Sequence, residues 1–340
     1  MNFKTCSSAT NIYRGVNALS KTVSNAVAPA EALPVQRKQS KFMKKLTDGK
    51  YLLLLVIPTV ICLALFYYLP MYGLIISFMD YKPFKGIAGS SFVGFKHFIN
   101  FFEYKYFWRL IRNTTIISFY SLIFGFPLPI IFSLILNEVQ GIRFKKLVQT
   151  VSYMPHFYST VVVVGLFSMF LDPTSGLITH FFNSIGIAKT DWLLDQNCFR
   201  TIYIVSELWQ QTGWGAIVYL AALTNVDPQL YEAAYVDGAG KMRCVWSITL
   251  PSIAPTMITM LLLRMGSMFN VGFERAFLFQ KPTTLETSEI ISTYVYKKGM
   301  MSTGGYSYGS AVGLFNSLIS LAMLLVSNYV ANKVSDTSLW

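Results

Sequence analysis

Charge is scarce in this sequence. Asp, Glu, Lys and Arg make up 13% of its 340 residues, about half the share usual in soluble proteins. A water-soluble chain of this length needs more charge to cover its surface; a lipid-facing surface does not. Acids are the scarcer sign, 16 against 28 bases, for a formal net charge of +12. Such an excess would suit nucleic acid, but the bases flank apolar runs instead of lining one polar domain. That placement fits a lipid headgroup surface and excludes nucleic acid as a partner. The four cysteines, Cys6, Cys62, Cys198 and Cys244, stand far apart with no metal-type or redox-type spacing, so no disulfide is implied. The three histidines, His97, His156 and His180, form no Cys/His cluster with them, and no metal site is expected. A Gly-x-x-x-x-Gly-Lys-Ser/Thr phosphate loop is also missing, so no nucleotide cofactor is expected in this chain. The Ser/Lys or His/Asp/Glu constellation that a polytopic membrane enzyme needs is absent as well.

What the chain has in plenty is apolar sequence, 53% against the usual 45–50%. A bilayer core takes about 20 mostly apolar residues per helix. Six segments approach that length, roughly 51–79, 113–136, 153–171, 201–223, 251–270 and 309–331. The expected fold is an all-α integral membrane protein with about six transmembrane helices in one domain over 46–340. Pro58 and Pro70 predict a kink or break in the first span. Pro127 and Pro129 fall in the second, and Pro155 opens the third. Residues 1–45 are polar, with no apolar core of a signal peptide, and read as a disordered tail ending in the basic stretch Arg37 to Lys45.

Nine Lys/Arg against two acids over 1–50, with Arg143, Lys145 and Lys146 in the loop 137–150, put both termini in the cytoplasm. The loop 80–112 carries six bases and runs against that rule. On this topology the loops 80–112, 172–200 and 271–308 face outward and are expected to hold short interfacial helices.

The cytoplasmic loop 225–250, between the fourth and fifth spans, is the most informative stretch. Asp227 suits a helix N-cap, Pro228 the first helical position and Gly238 a helix stop, which predicts a short helix over about 228–236. Ala233 and Ala234 let another protein surface approach its backbone. Met242, Val245, Trp246 and Thr249 share one helical face before Pro251 opens the next span. A plain connection could be far shorter, so the loop reads as a rigid docking peg for a soluble partner.

Glu232-Ala233-Ala234, Asp237-Gly238-Ala239 and Ile248-Thr249-Leu250-Pro251 resemble the EAA signature of permease subunits of bacterial binding-protein-dependent ABC importers. Tyr68 to Gly73, Asp80 to Phe84, Phe92 to Phe98, Gly272-Phe273-Glu274 and Ser335 to Trp340 resemble the carbohydrate-uptake branch, within it the alginate, aldouronate and pectin-fragment group. The resemblance covers roughly 45–340. Arg243 and Val245 depart from the Gln and aromatic residue common there. The resemblance implies the type I importer permease fold, a coupling helix that fits a cleft on an ATPase, and an oligo- or polysaccharide substrate. It further implies a second homologous permease, a cytoplasmic ATPase dimer that binds the ATP and Mg, and an extracytoplasmic solute-binding protein. The implied location is the bacterial cytoplasmic membrane. A secondary transporter or channel is the alternative, but no internal repeat is evident and the peg would then have no purpose.

Glu207 and Arg264 are the clearest ionisable residues within spans, where charge usually faces a partner or a water-filled path. Glu207, Gln210, Gln211 and Trp214 recur at helical spacing. Carboxylate, amides and indole can bind a sugar by hydrogen bonds and ring stacking; the same groups can also make a polar helix–helix contact. Arg264 has two readings too, a pair with Glu207 or a contact to an anionic sugar.

Overall fold

The computed structural model describes residues 50–186, 191–269, 271–302 and 304–334. The tail 1–45, Asn270 and the ending Ser335 to Trp340 lie outside the described residues. The chain divides into two units, Met1–Leu69 and Pro70–Trp340.

In the first unit, helix α1 (Lys50–Leu63) runs through Pro58 into a wide turn over Ala64–Tyr68. Widening there accommodates Pro70, whose ring would press on the carbonyl four residues back and which donates no hydrogen bond to it. Residues Tyr72–Phe78, which belong to the second unit, wind more tightly. By length and composition Leu54–Phe78 can cross a membrane.

The second unit holds the rest. Strands β1 (Met79–Lys82) and β2 (Gly86–Phe92) form an antiparallel hairpin, with Met79 opposite Phe92 and Lys82 opposite Gly86. The Nε2 of His97 lies 3.0 Å from the Met79 carbonyl and fixes the hairpin to helix α2 (Lys96–Phe102). Helices α3 (Phe107–Gly125) and α4 (Pro127–Glu138) make one span jointed at its prolines, Phe107–Glu138. Helices α5 (Ile142–Tyr153) and α6 (Thr160–Phe170) follow, then α7 (Leu177–Ser184).

Helix α8 (Phe199–Thr224) is the packing centre, touching α3, α4, α5 and α6. After α9 (Pro228–Val236) and α10 (Lys241–Cys244) come α11 (Leu250–Gly266), the short helices α12 (Phe273–Phe279), α13 (Leu285–Ser288) and α14 (Ile291–Val295), and finally α15 (Tyr306–Val334). Phe199, Ile202, Tyr203 and Ile204 of α8 meet Ile117, Val164, Ala276, Phe279 and Ile290 in the main core.

Three features differ from the sequence expectation. Among the described residues, four helices are long and apolar enough to span, and a fifth is obtained only if a pair bent by 104° counts as one. That pair is Ile142–Phe157 with Thr160–Phe170, where a straight third span was expected. The α-helix stops at Tyr153, Met154–Phe157 wind more tightly around Pro155, Tyr158 and Ser159 are extended, and Ser159 caps the second piece by accepting from the Val162 amide. Helix α8 has the length, but its polar residues lower its hydropathy below that of a lipid-facing span. The hairpin interrupts the all-helical pattern at Pro83 and at Gly86, whose φ of +64° favours glycine.

Candidate functional site

Two regions bear on function: a polar cavity beside α8 and the exposed loop that contains α9. The cavity has a volume of about 350 Å³ and is walled by α3, α4, α8 and α11, with Val271 and Gly272 closing one side. It begins with a backbone defect. Pro129 has no N–H, so the Gly125 carbonyl four residues earlier receives no helical bond from it. Arg264 of α11 supplies the missing donor: Nη1 reaches the Gly125 carbonyl at 3.0 Å, and Nη2 reaches the Ser121 carbonyl at 2.8 Å. A Cβ at Gly125 would stand 2.2 Å from Nη2, so any larger residue there would displace this guanidinium. The same Nη2 is 3.7 Å from Glu207 Oε1, which also accepts from Ser121 Oγ at 2.8 Å. Glu207 Oε2 is buried without a hydrogen-bond partner.

On the same wall, Trp214 stacks on His156 with ring centroids 4.4 Å apart and planes 4° from parallel. His156 Nδ1 is 3.1 Å from Gln211 Oε1. The cavity therefore offers a carboxylate, a guanidinium, an amide and an aromatic face, the groups that bind a polyol by hydrogen bonds and ring stacking.

Of the five residues read from the sequence, Glu207, Gln211, Trp214 and Arg264 line this cavity. Gln210 does not. It is 4% exposed, donates to the Tyr158 carbonyl at 2.8 Å and accepts from Arg275. Helical spacing put it beside Glu207, but three residues on it stands about 60° round the helix, on the face that Arg275 of α12 covers. The sequence reading missed Ser121, Tyr203 and His156. Pro129 was the usable signal for Ser121 and Gly125, because a proline inside a span leaves a carbonyl to be satisfied elsewhere.

The loop forms the helix that its residues predict. Asp227 caps α9 by accepting from the Gln229 amide at 2.9 Å. At the other end the Ala239 amide reaches the Ala234 carbonyl at 2.9 Å and the Gly238 amide the Tyr235 carbonyl at 3.1 Å. This bond pair is the Schellman closure, which needs a left-handed residue, and Gly238 has φ +75°. No residue of α9 is buried; Glu232, Ala233 and Val236 are exposed. Tyr231 Oη lies 2.9 Å from Thr249 Oγ1, tying α9 to the turn that opens α11. Lys241 pairs with Glu138 at 3.3 Å, on the end of α4. The expected face of Met242, Val245, Trp246 and Thr249 splits. The turn over Val245–Thr249 is wider than an α-helix, so Cys244 and Thr249 point inward while Met242 and Trp246 are exposed.

Fold and loop together define a helical membrane protein with an exposed, capped helix between two of its longer helices. The chain belongs to the family of binding-protein-dependent transport system inner membrane components, whose model matches residues 125–336. It is a multi-pass inner-membrane permease subunit of an ABC importer, a family that is not itself catalytic. It is 42% identical to the polygalacturonan/rhamnogalacturonan transport system permease protein YteP of Bacillus subtilis (strain 168), over 90% of this chain and 95% of that protein. Protein LplB of the same organism is 41% identical over 89% of this chain and 95% of its own length. Among solved structures it is similar to a bacterial ABC transporter involved in the import of the acidic polysaccharide alginate, with a TM-score of 0.79 and 38% identity over 86% of this chain and 99% of that one. A complex of the bacterial alginate ABC transporter with an alginate pentasaccharide-bound periplasmic protein gives a TM-score of 0.80 and 38% identity over 87% and 99%.

Proposed function

We propose that this chain forms part of the translocation path for an oligo- or polysaccharide and takes its power stroke through α9. The cavity carries the reading, because it gathers Glu207, Gln211 and Trp214 of α8 and Arg264 of α11 around one space. The names of YteP and of the two alginate transporter structures, which give polysaccharide substrates, support it. In this reading a second homologous permease supplies the other half of the path. A cytoplasmic ATPase dimer receives Glu232, Ala233, Ala234, Asp237, Gly238 and Ala239, and Leu250 and Pro251 begin the span that carries the motion inward. Both termini lie in the cytoplasm, and an extracytoplasmic binding protein delivers the cargo.

Gln211→Ala and Trp214→Ala test the path. Each removes one neutral contact, worth about 0.5–1.5 kcal/mol, so uptake into proteoliposomes by the assembled importer should fall by up to about tenfold. Assembly and basal ATP hydrolysis should persist. Wild-type uptake in both variants would move the sugar path to the partner permease and leave this wall as a helix–helix contact.

A further inference from the structure

Arg275 is a buried cation without a buried anion. It sits on α12 at 5% exposure. Its guanidinium donates to Gln210 Oε1 and, at 3.3 Å, to Ser206 Oγ, both neutral. Among the described residues no carboxylate lies within ion-pair distance of it. Its chain neighbour Glu274 is exposed. Taking a guanidinium out of water is costly, and the cost is normally recovered by a paired carboxylate. Two carboxylates act on it from further away, the half-buried Glu207 and the exposed Glu274, and Glu207 already has Arg264 beside it.

The position of Arg275 gives this imbalance a direction. Ser206 and Gln210 are the α8 neighbours of Glu207, and the Tyr203 ring, 5.8 Å from the Arg275 guanidinium carbon, belongs to the cavity wall. Arg275 thus stands directly behind that wall. Glu274 is exposed and screened by solvent, so among the groups withdrawn from water two guanidiniums and one carboxylate set the local charge. With Arg264 alone the wall would be neutral, and the carboxylate of Glu207 would oppose any anionic cargo near it. With Arg275 the wall is positive.

We propose that Arg275 is a specificity-determining positioning residue that makes the cavity fit for an oligosaccharide bearing carboxylates, a claim that rests on the saccharide-path reading above. Arg275 does not touch the cargo. It acts through a short, poorly screened distance and by holding Gln210, which orients the α8 wall. A guanidinium stays protonated at all physiological pH, so the excess charge is permanent. The carboxylate that this cluster lacks is carried in by the cargo and leaves with it.

The test uses the complete importer in nanodiscs without its binding protein, titrated calorimetrically with trigalacturonate and with its methyl ester, which keeps the rings but not the charge. Wild type should bind the acid more tightly than the ester. Arg275→Gln should weaken acid binding about tenfold and leave ester binding unchanged, while Arg275→Lys should retain most of the preference. Equal loss for both probes, or no change in either, would overturn the proposal. If Arg275→Gln fails to assemble, Glu207→Gln decides: by removing the carboxylate that lines the cavity it should raise the preference for the acid, and an unchanged or lower preference overturns the proposal. A wild-type importer that binds neither probe defeats the saccharide-path reading itself. One that binds the ester as tightly as the acid defeats only this inference.

Discussion

Arg264 has three hydrogen bonds to α3, from its two terminal nitrogens to the Gly125 carbonyl, the Ser121 carbonyl and Ser121 Oγ, against one longer contact to Glu207. The asymmetry ranks the two substitutions. Glu207→Gln keeps every bond to α3 and loses a partly exposed pair of about 0–1 kcal/mol, so the amount of assembled complex should stay near wild type. Arg264→Met leaves a span carbonyl without a donor and Glu207 without its cation, at a cost of about 1–3 kcal/mol for the unmet group alone. Its complex should melt lower in a thermal aggregation assay. A larger loss from Glu207→Gln than from Arg264→Met would mean that the ion pair, not the proline-freed carbonyl, fixes Arg264. The residue scale also shows where reading the sequence stopped short. Glu207, Gln211 and Trp214 were placed on one wall by spacing alone, but Gln210 was not separable from them. Which side of a polar arc faces a cavity depends on what packs behind it, and the residue behind Gln210 is 65 positions away.

At the scale of the element, α9 was legible down to its end bonds, because caps are local chemistry written in adjacent residues. Gly238 meets no atom within 4 Å of an added Cβ, so the penalty of Gly238→Leu is conformational, about 1–2 kcal/mol for a left-handed non-glycine residue. That is comparable to the contribution of the whole C-terminal closure. Uptake should be lost, with membrane insertion intact and ATP hydrolysis no longer stimulated by the loaded binding protein. Tyr231→Phe cuts the hydroxyl link to Thr249 but leaves α9 itself whole. It should lower the stimulation without abolishing it. Full stimulation in both complexes would show that α9 is not the element that carries motion. The bend between α5 and α6 was not legible in the same way. Pro155 signalled a helix boundary, but the restart at Ser159 depends on a single cap, and a continuous apolar run from Val161 to Leu171 hid it.

For the whole molecule, six apolar runs are legible in the sequence, whereas among the described residues four helices, or five with the bent pair, are long and apolar enough to span. The run in α8 is the core of the bundle and carries its polar wall, whereas α1, the α3–α4 pair, α11 and α15 present large exposed apolar side chains. Lipid contact and core packing draw on the same residue types, so composition alone cannot separate them. The tail gives a prediction at this scale. Residues 1–35 contain too little apolar sequence to pack, and their deletion, with Arg37 to Lys45 retained for orientation, should leave uptake within about twofold of wild type at equal membrane level. Loss of uptake would reveal a partner for that segment.

The β1–β2 hairpin follows directly on the span that ends at Phe78, and at its tip Phe84 is fully exposed. A cysteine at that tip is therefore a reporter of sidedness. With the native cysteines replaced, Phe84→Cys should react with a membrane-impermeant maleimide in right-side-out vesicles. Val236→Cys, also highly exposed on α9, should react only in inverted vesicles stripped of ATPase. The opposite labelling pattern would reverse the topology and hand the six bases of the loop 80–112 to the cytoplasm, where charge statistics alone would have put them.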